Sequence, residues 1–265
     1  MEKKFDRNTF GRRLKSMLKV DFRRIFTMPL LYIMVGISFA MPVLILVMTT
    51  MMDGSVSVSP QTGVETVIEG FDNTWQAIGA MSGAPMSMDL VGMCNINMLY
   101  FFIAPLVGLF VSQDFRSGFS KNLFTHRAKK SEYVISKTLV CFVGSALMLL
   151  AYFVGTMFGG AVSGLPFDTG AAGVIGIVMC MAAKILLALV FVAIDLLVSV
   201  TAKQKTWIAI VGSLCAGMLL FTMVPMITPL DSTVVNVTLC FAGGLVFSIG
   251  LGAVGNRILN KTSLV

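Results

Sequence analysis

Apolar residues run along this chain in long unbroken stretches, not in alternation, and short polar segments of two different kinds separate them. A hydrocarbon layer about 30 Å thick takes roughly 20 apolar residues to cross as a helix. Six stretches are long enough, at about 30–51, 90–111, 139–159, 172–200, 207–227 and 234–254. Continuous runs select helices over barrel strands, because lipid offers backbone groups no partners and a helix satisfies its own. The pattern predicts an all-α polytopic membrane protein with six transmembrane helices. The first run is too long for the roughly 7–15 apolar residues of a cleaved signal, and its basic lead-in is too extended.

The polar segments set the orientation. Nineteen of the twenty basic residues fall in the N-terminal segment, the segment after the second run, the turn after the fourth and the tail after the sixth. The intervening loops, 52–89, 160–171 and 228–233, carry Asp53, Glu65, Glu69, Asp72, Asp89, Asp168 and Asp231 and no lysine or arginine. By the positive-inside rule both chain ends are expected in the cytoplasm. The expected organisation is a cytoplasmic amphipathic segment (1–28), one six-helix transmembrane domain (29–256) and a short cytoplasmic tail (257–265). Within the first segment Phe10, Leu14, Met17, Leu18, Phe22, Ile25 and Phe26 recur at helical spacing among Arg and Lys, with Thr9 as N-cap. That pattern predicts an interfacial helix facing anionic lipid headgroups.

The long outer loop is rich in Gly, Ser and Pro, and a helix-like patch is expected over 64–78, with Trp75 at the membrane interface. Between the second and third runs, Phe115, Phe119 and Leu123 fall at i, i+4 and i+8, next to Phe124 and several basic residues. Exposed aromatics beside charge on a short loop point to a docking surface. Small residues at Gly155 and Gly159, and at Gly244, Ser248 and Gly252, permit close helix approach.

Composition agrees with a lipid setting: 56% hydrophobic, 12% charged and a mean hydropathy of +0.88, against roughly 25% charged in soluble proteins. Because the net charge of +7 is accounted for by topology, no nucleic-acid partner is expected. Cys94, Cys141, Cys180, Cys215 and Cys240 sit in or beside apolar runs and form no readable disulfide framework. The one stretch resembling a phosphate-binding loop, 255–262, lacks the glycine before Lys261 and follows an apolar run rather than a strand. His126, the only histidine, lies among basic residues. No enzyme, metal site or cofactor is therefore expected in this chain. Lys184 and Asp195 stand out as charges inside the fourth run. They are eleven residues apart, so they share one helix face about 16 Å apart. An intramembrane charge marks a pathway or a buried partner, unless the lysine snorkels to the headgroups.

The stretch 114–137 resembles a motif of the permease subunits of ABC-2-type transporters, especially the small six-span exporters of the lantibiotic or bacitracin kind. Asp114, Gly118, Lys121, Asn122, Leu123, Ser131 and Lys137 take the motif's places, with Phe119 where a threonine is common. The amphipathic lead, the six runs and the long first outer loop carry the resemblance over the whole chain. It implies a bacterial cytoplasmic membrane protein that exports a peptide, drug or other amphipathic cargo. Residues 114–125, including Phe115 and Phe124, would be a cytoplasmic coupling helix inserted into an ABC ATPase dimer that holds ATP and Mg. Residues 9–26 would be a connecting helix, and a second permease copy or a related permease would complete the assembly. The alternatives are an ion-coupled secondary transporter using Lys184 and Asp195, and a non-transporting immunity or scaffold protein acting through the outer loop.

Overall fold

The structure, a computed structural model, describes residues 10–58, 65–67, 70–82, 95–125, 129–203, 205–221 and 223–261. Thr9 and His126 lie outside the described residues. Helix α1 (Phe10–Thr27) is followed at once by α2 (Pro29–Met52). Between them Met28 is extended (φ −80°, ψ 121°), because a residue before proline is pushed out of the helical region. The amphipathic segment thus meets the first apolar helix at an elbow.

A short antiparallel ladder, β1 (Val56–Val58) with β2 (Glu65–Val67), follows α2 and pairs Val56 with Val67. Of the helix-like patch expected over 64–78, residues 65–67 form this strand and Thr74–Ala77 a single 3-10 turn, while 64, 68 and 69 lie outside the described residues. Another 3-10 turn, Ile96–Met98, leads into α3 (Leu99–Arg116). Then come α4 (Phe119–Thr125), α5 (Lys130–Ser163) and α6 (Gly173–Ala202). The chain finishes with α7 (Thr206–Phe221), α8 (Val224–Ile227) and α9 (Val234–Lys261). Residues 255–261 are the last turns of α9, so no phosphate-cradling loop forms there.

The protein is a multi-pass membrane protein by its apolar helices. Among the described residues five helices, α2, α3, α5, α6 and α9, are long and apolar enough to cross a membrane. The run expected to cross continuously over 207–227 is instead broken into α7 and the four-residue α8. Pro225 lies at the start of α8 and cannot join a continuing hydrogen-bond ladder. Sixteen residues of α7 rise about 24 Å.

Helices α3 and α6 form the centre, with α7 against both, α2 against α5, and α9 against α6. Large apolar residues such as Ile33, Leu44 and Met48 on α2, and Val235, Val246 and Ile249 on α9, face outward, as lipid contact requires. The small-residue motifs are used inside the chain. A Cβ at Gly155 would strike the Phe39 carbonyl oxygen and come within 2.8 Å of Pro42, and one at Gly159 would lie 2.9 Å from the Val43 Cα. Gly244 likewise lets α9 approach the Leu186 carbonyl of α6. These glycines therefore set the α2–α5 and α6–α9 distances within one subunit.

Candidate functional site

At the basic end of the bundle, α1, α3 and α5 meet around a buried ion cluster. Asp21 and Arg24 are one turn apart on the face of α1 turned to the bundle, Asp114 is in the last turns of α3, and Lys137 is two turns into α5. The Lys137 ammonium lies 2.8 Å from Asp21 Oδ1 and 2.7 Å from Asp114 Oδ2. Arg24 reaches Asp114 Oδ1 at 2.6 Å. Tyr133 donates its hydroxyl to Asp114 (3.1 Å), and Ser136 donates to Asp21 (2.6 Å). Lys137 stands 4.0 Å over the Phe110 ring and Arg24 4.3 Å over Phe119. Lys137, Asp114 and Asp21 are essentially inaccessible. Two carboxylates and two cations balance, and each carboxylate is hydrogen-bonded, which is what makes buried charge tolerable.

A second tie joins α1 to the start of α5. Arg13 bonds Glu132 Oε1 through Nε at 3.0 Å, while Glu132 Oε2 accepts from the Lys129 backbone N–H. Lys130 Nζ donates to the Leu259 carbonyl at 2.6 Å, fastening α9 to the same corner. Helix α1 is therefore locked to the bundle by specific polar contacts. Its apolar stripe serves the protein core as well as the interface: Met17 and Ile25 are buried and Leu18 and Phe22 pack beside them.

The residues expected to dock a partner sit differently from the sequence reading. Phe115 is buried, Phe119 is half-buried beneath Arg24, and Leu123 and Phe124 pack on the core. Phe124 meets the Tyr133 ring edge-on at 5.5 Å. Gly118 turns the chain between α3 and α4 at φ +71°, a conformation that favours glycine. The surface left outside at the α3–α4 corner is polar: Arg116 and Ser117 at the end of α3, and Lys121, Asn122 and Thr125 on α4, are exposed. The aromatic stripe on this segment is thus a joint to its own bundle.

At the acidic end, Lys184 is fully buried, so it does not snorkel. Its ammonium donates to Asn97 Oδ1 at 2.8 Å and to Thr228 Oγ1 at 3.0 Å. Its backbone carbonyl accepts from the Tyr100 hydroxyl, and the Tyr100 ring stacks on Phe191 at 4.5 Å. Asn97 comes from the turn that opens α3, and Thr228 from the residue that closes the broken α8. Residues 70–82 lie across this end. Trp75 is buried between Phe153 and Phe167, inserted into the bundle mouth where a membrane-interface position was expected. Gly160 leaves room for Thr74, and Gly79 lies against Thr228 and Cys180. Thr74 N–H donates to the Pro166 carbonyl (3.1 Å), Leu230 N–H to Ala80 (2.8 Å) and Ser82 N–H to Asp231 Oδ1 (2.8 Å).

Asp195 is buried three turns from Lys184 along α6, too far to pair with it. Its Oδ2 has no hydrogen-bond partner among the described residues, nor do the hydroxyls of Ser199 and Ser213.

Sequence reasoning singled out Asp114 and Lys137 only through a motif, and missed Asp21, Arg24, Arg13, Glu132, Tyr133 and Ser136. One signal was present: Asp21 is the single acid within α1, an odd choice for a helix meant only for anionic headgroups. Asn97 and Thr228 had no such signal. No protein-family model, curated protein or solved structure matches this chain.

Proposed function

We propose that this chain is the membrane-spanning permease subunit of an ATP-driven exporter of the ABC-2 type. It sits in a bacterial cytoplasmic membrane with both ends inside, and α7 and α8 together make the fifth of its six crossings. A separate ABC ATPase dimer supplies ATP hydrolysis, and a second permease, identical or related, completes the pathway. The cargo class is a peptide, drug or other amphipathic molecule. The segregation of basic and acidic loops supports the orientation.

The observation that carries the reading is the ion cluster of Asp21, Arg24, Asp114 and Lys137. A permease without a nucleotide site must receive work at a cytoplasmic surface and pass it to its spans. Here α1 and the α3–α4–α5 corner are joined to two crossing helices by buried ion pairs, so a push on the exposed face of α4 moves them together. Arg116, Lys121 and Asn122 on that face meet the ATPase, and Phe115, Gly118, Phe119, Leu123 and Phe124 transmit the displacement.

The test is a pull-down of the tagged chain in mild detergent from its native host. A stoichiometric soluble ATPase is expected, released when Arg116→Glu and Lys121→Glu reverse the exposed charge. Absence of any ATPase from intact, monodisperse protein would overturn the reading. The buried, unpartnered Oδ2 of Asp195 favours one rival, an ion-coupled carrier. Transport that survives ATP depletion and stops when the proton gradient collapses would select it.

A further inference from the structure

Among the described residues two lysines are completely buried, and they are treated in opposite ways. Lys137 is neutralised by two carboxylates at 2.7 and 2.8 Å. Lys184, equally buried, is held by two neutral oxygens, those of Asn97 and Thr228. Among the described residues no carboxylate lies within ion-pair distance of it. Burying an ammonium without a counter-charge is expensive, and an arriving anion would relieve that expense.

The surroundings are those of a binding place. Thr228 ends a broken helix, and Pro229, which follows it, has no N–H to continue one. Irregular backbone at membrane depth is tolerated where protein covers it or where it lines a cavity, and broken helices recur at transporter binding sites. The Thr228 hydroxyl donates to the Val224 carbonyl at 2.8 Å, so its oxygen is oriented to accept from Lys184. Tyr100 and Phe191 add a stacked aromatic wall beside it.

We propose that Lys184, with Asn97 and Thr228, is the seat for a carboxylate carried by the transported molecule, and that residues 70–82 are the outer lid over that seat. The inference rests on the transporter reading above and names the chemistry of its cargo. The lid is held by the Trp75 wedge and the hydrogen bonds to Pro166, Leu230 and Asp231, all of which can be released without breaking the bundle. Asp231 is one of the acids at this end, with Asp72 and Asp168, and its Oδ1 accepts from the Ser82 N–H.

Cys180 supplies a built-in reporter. Its Sγ lies under Gly79 and contacts the Thr228 carbonyl at 3.7 Å. Three methanethiosulfonates of similar size, bearing a carboxylate, a hydroxyl or a trimethylammonium group, are applied to the outer face of native membranes. Modification of Cys180 is followed by peptide mass spectrometry in wild type and in Trp75→Ala, with free cysteine giving the intrinsic rate ratios. Trp75→Ala should label faster with all three reagents. After correction, the carboxylate reagent should react at least about tenfold faster than the cationic one, as one nearby buried charge requires. Lys184→Arg should keep that preference and Lys184→Met should lose it.

Equal corrected rates, or a cation preference, in the wild-type and Trp75→Ala proteins would overturn the seat, whatever the Lys184 variants do. Trp75→Ala protein that stays unlabelled would overturn the lid. Neither readout involves the ATPase, so failure here is separable from failure of the transporter reading.

Discussion

Replacing Lys137 by methionine keeps the volume of the side chain and removes its charge. Asp21 and Asp114 are then left in the same buried space with Arg24 alone. Their oxygens lie 2.8 and 2.7 Å from one nitrogen, hence no more than 5.5 Å from each other. Two like charges at that distance repel by about 3 kcal/mol at an effective dielectric near 20, which agrees with the roughly 3–5 kcal/mol lost when one partner of a buried pair is removed. Arg24 is 27% exposed and only partly compensates. Adding Asp114→Asn restores a neutral cluster of Asp21 and Arg24, with Ser136 still donating to Asp21. The double variant should therefore recover about 2–3 kcal/mol relative to the sum of the single losses, a coupling typical of contacting charges. Equilibrium unfolding in mixed detergent micelles across the four-member cycle measures it. A loss under about 1 kcal/mol for Lys137→Met, or strict additivity in the cycle, would refute the claim that this cluster holds α1 to the bundle.

Other consequences are simpler to read. Gly155→Ala drives a methyl into the Phe39 carbonyl, a backbone atom that cannot step aside, so it should cost about 1–3 kcal/mol in the same unfolding assay; an unchanged midpoint would mean α2 and α5 are not in close contact. Arg13→Ala removes the partly exposed cation from the buried Glu132 carboxylate, which keeps the Lys129 N–H as a donor, so it should cost about 1–3 kcal/mol, less than Lys137→Met in a side-by-side melt. Asp195→Asn removes a buried charge with an unpartnered oxygen, so the protein should melt at the same temperature or higher. If the transport proposed above is lost in that stable variant while ATPase binding is retained, Asp195 acts in the pathway; retained transport assigns it to the fold alone.

The long apolar helices were legible because hydropathy is a local property, read residue by residue and imposed by the surrounding lipid. The break in the fifth apolar run was written in the sequence too, as Pro225 within it, and reading the run by average hydropathy concealed it. Helical spacing placed Phe115, Phe119 and Leu123 on one face but did not say which way that face points. Only packing against Arg24, Tyr133 and the core turned it inward. The same limit applies to the charges. Lys137 and Lys184 are both lysines in apolar company, and nothing within a few residues of either tells which will be neutralised. That was decided by partners 116 positions away for Asp21 and 87 and 44 positions away for Asn97 and Thr228. What the sequence alone determined is therefore where the long apolar helices lie. What the tertiary structure decided is which buried charge meets its opposite and which is left with neutral oxygens, because Coulomb energy in a low-dielectric interior depends on distances in space.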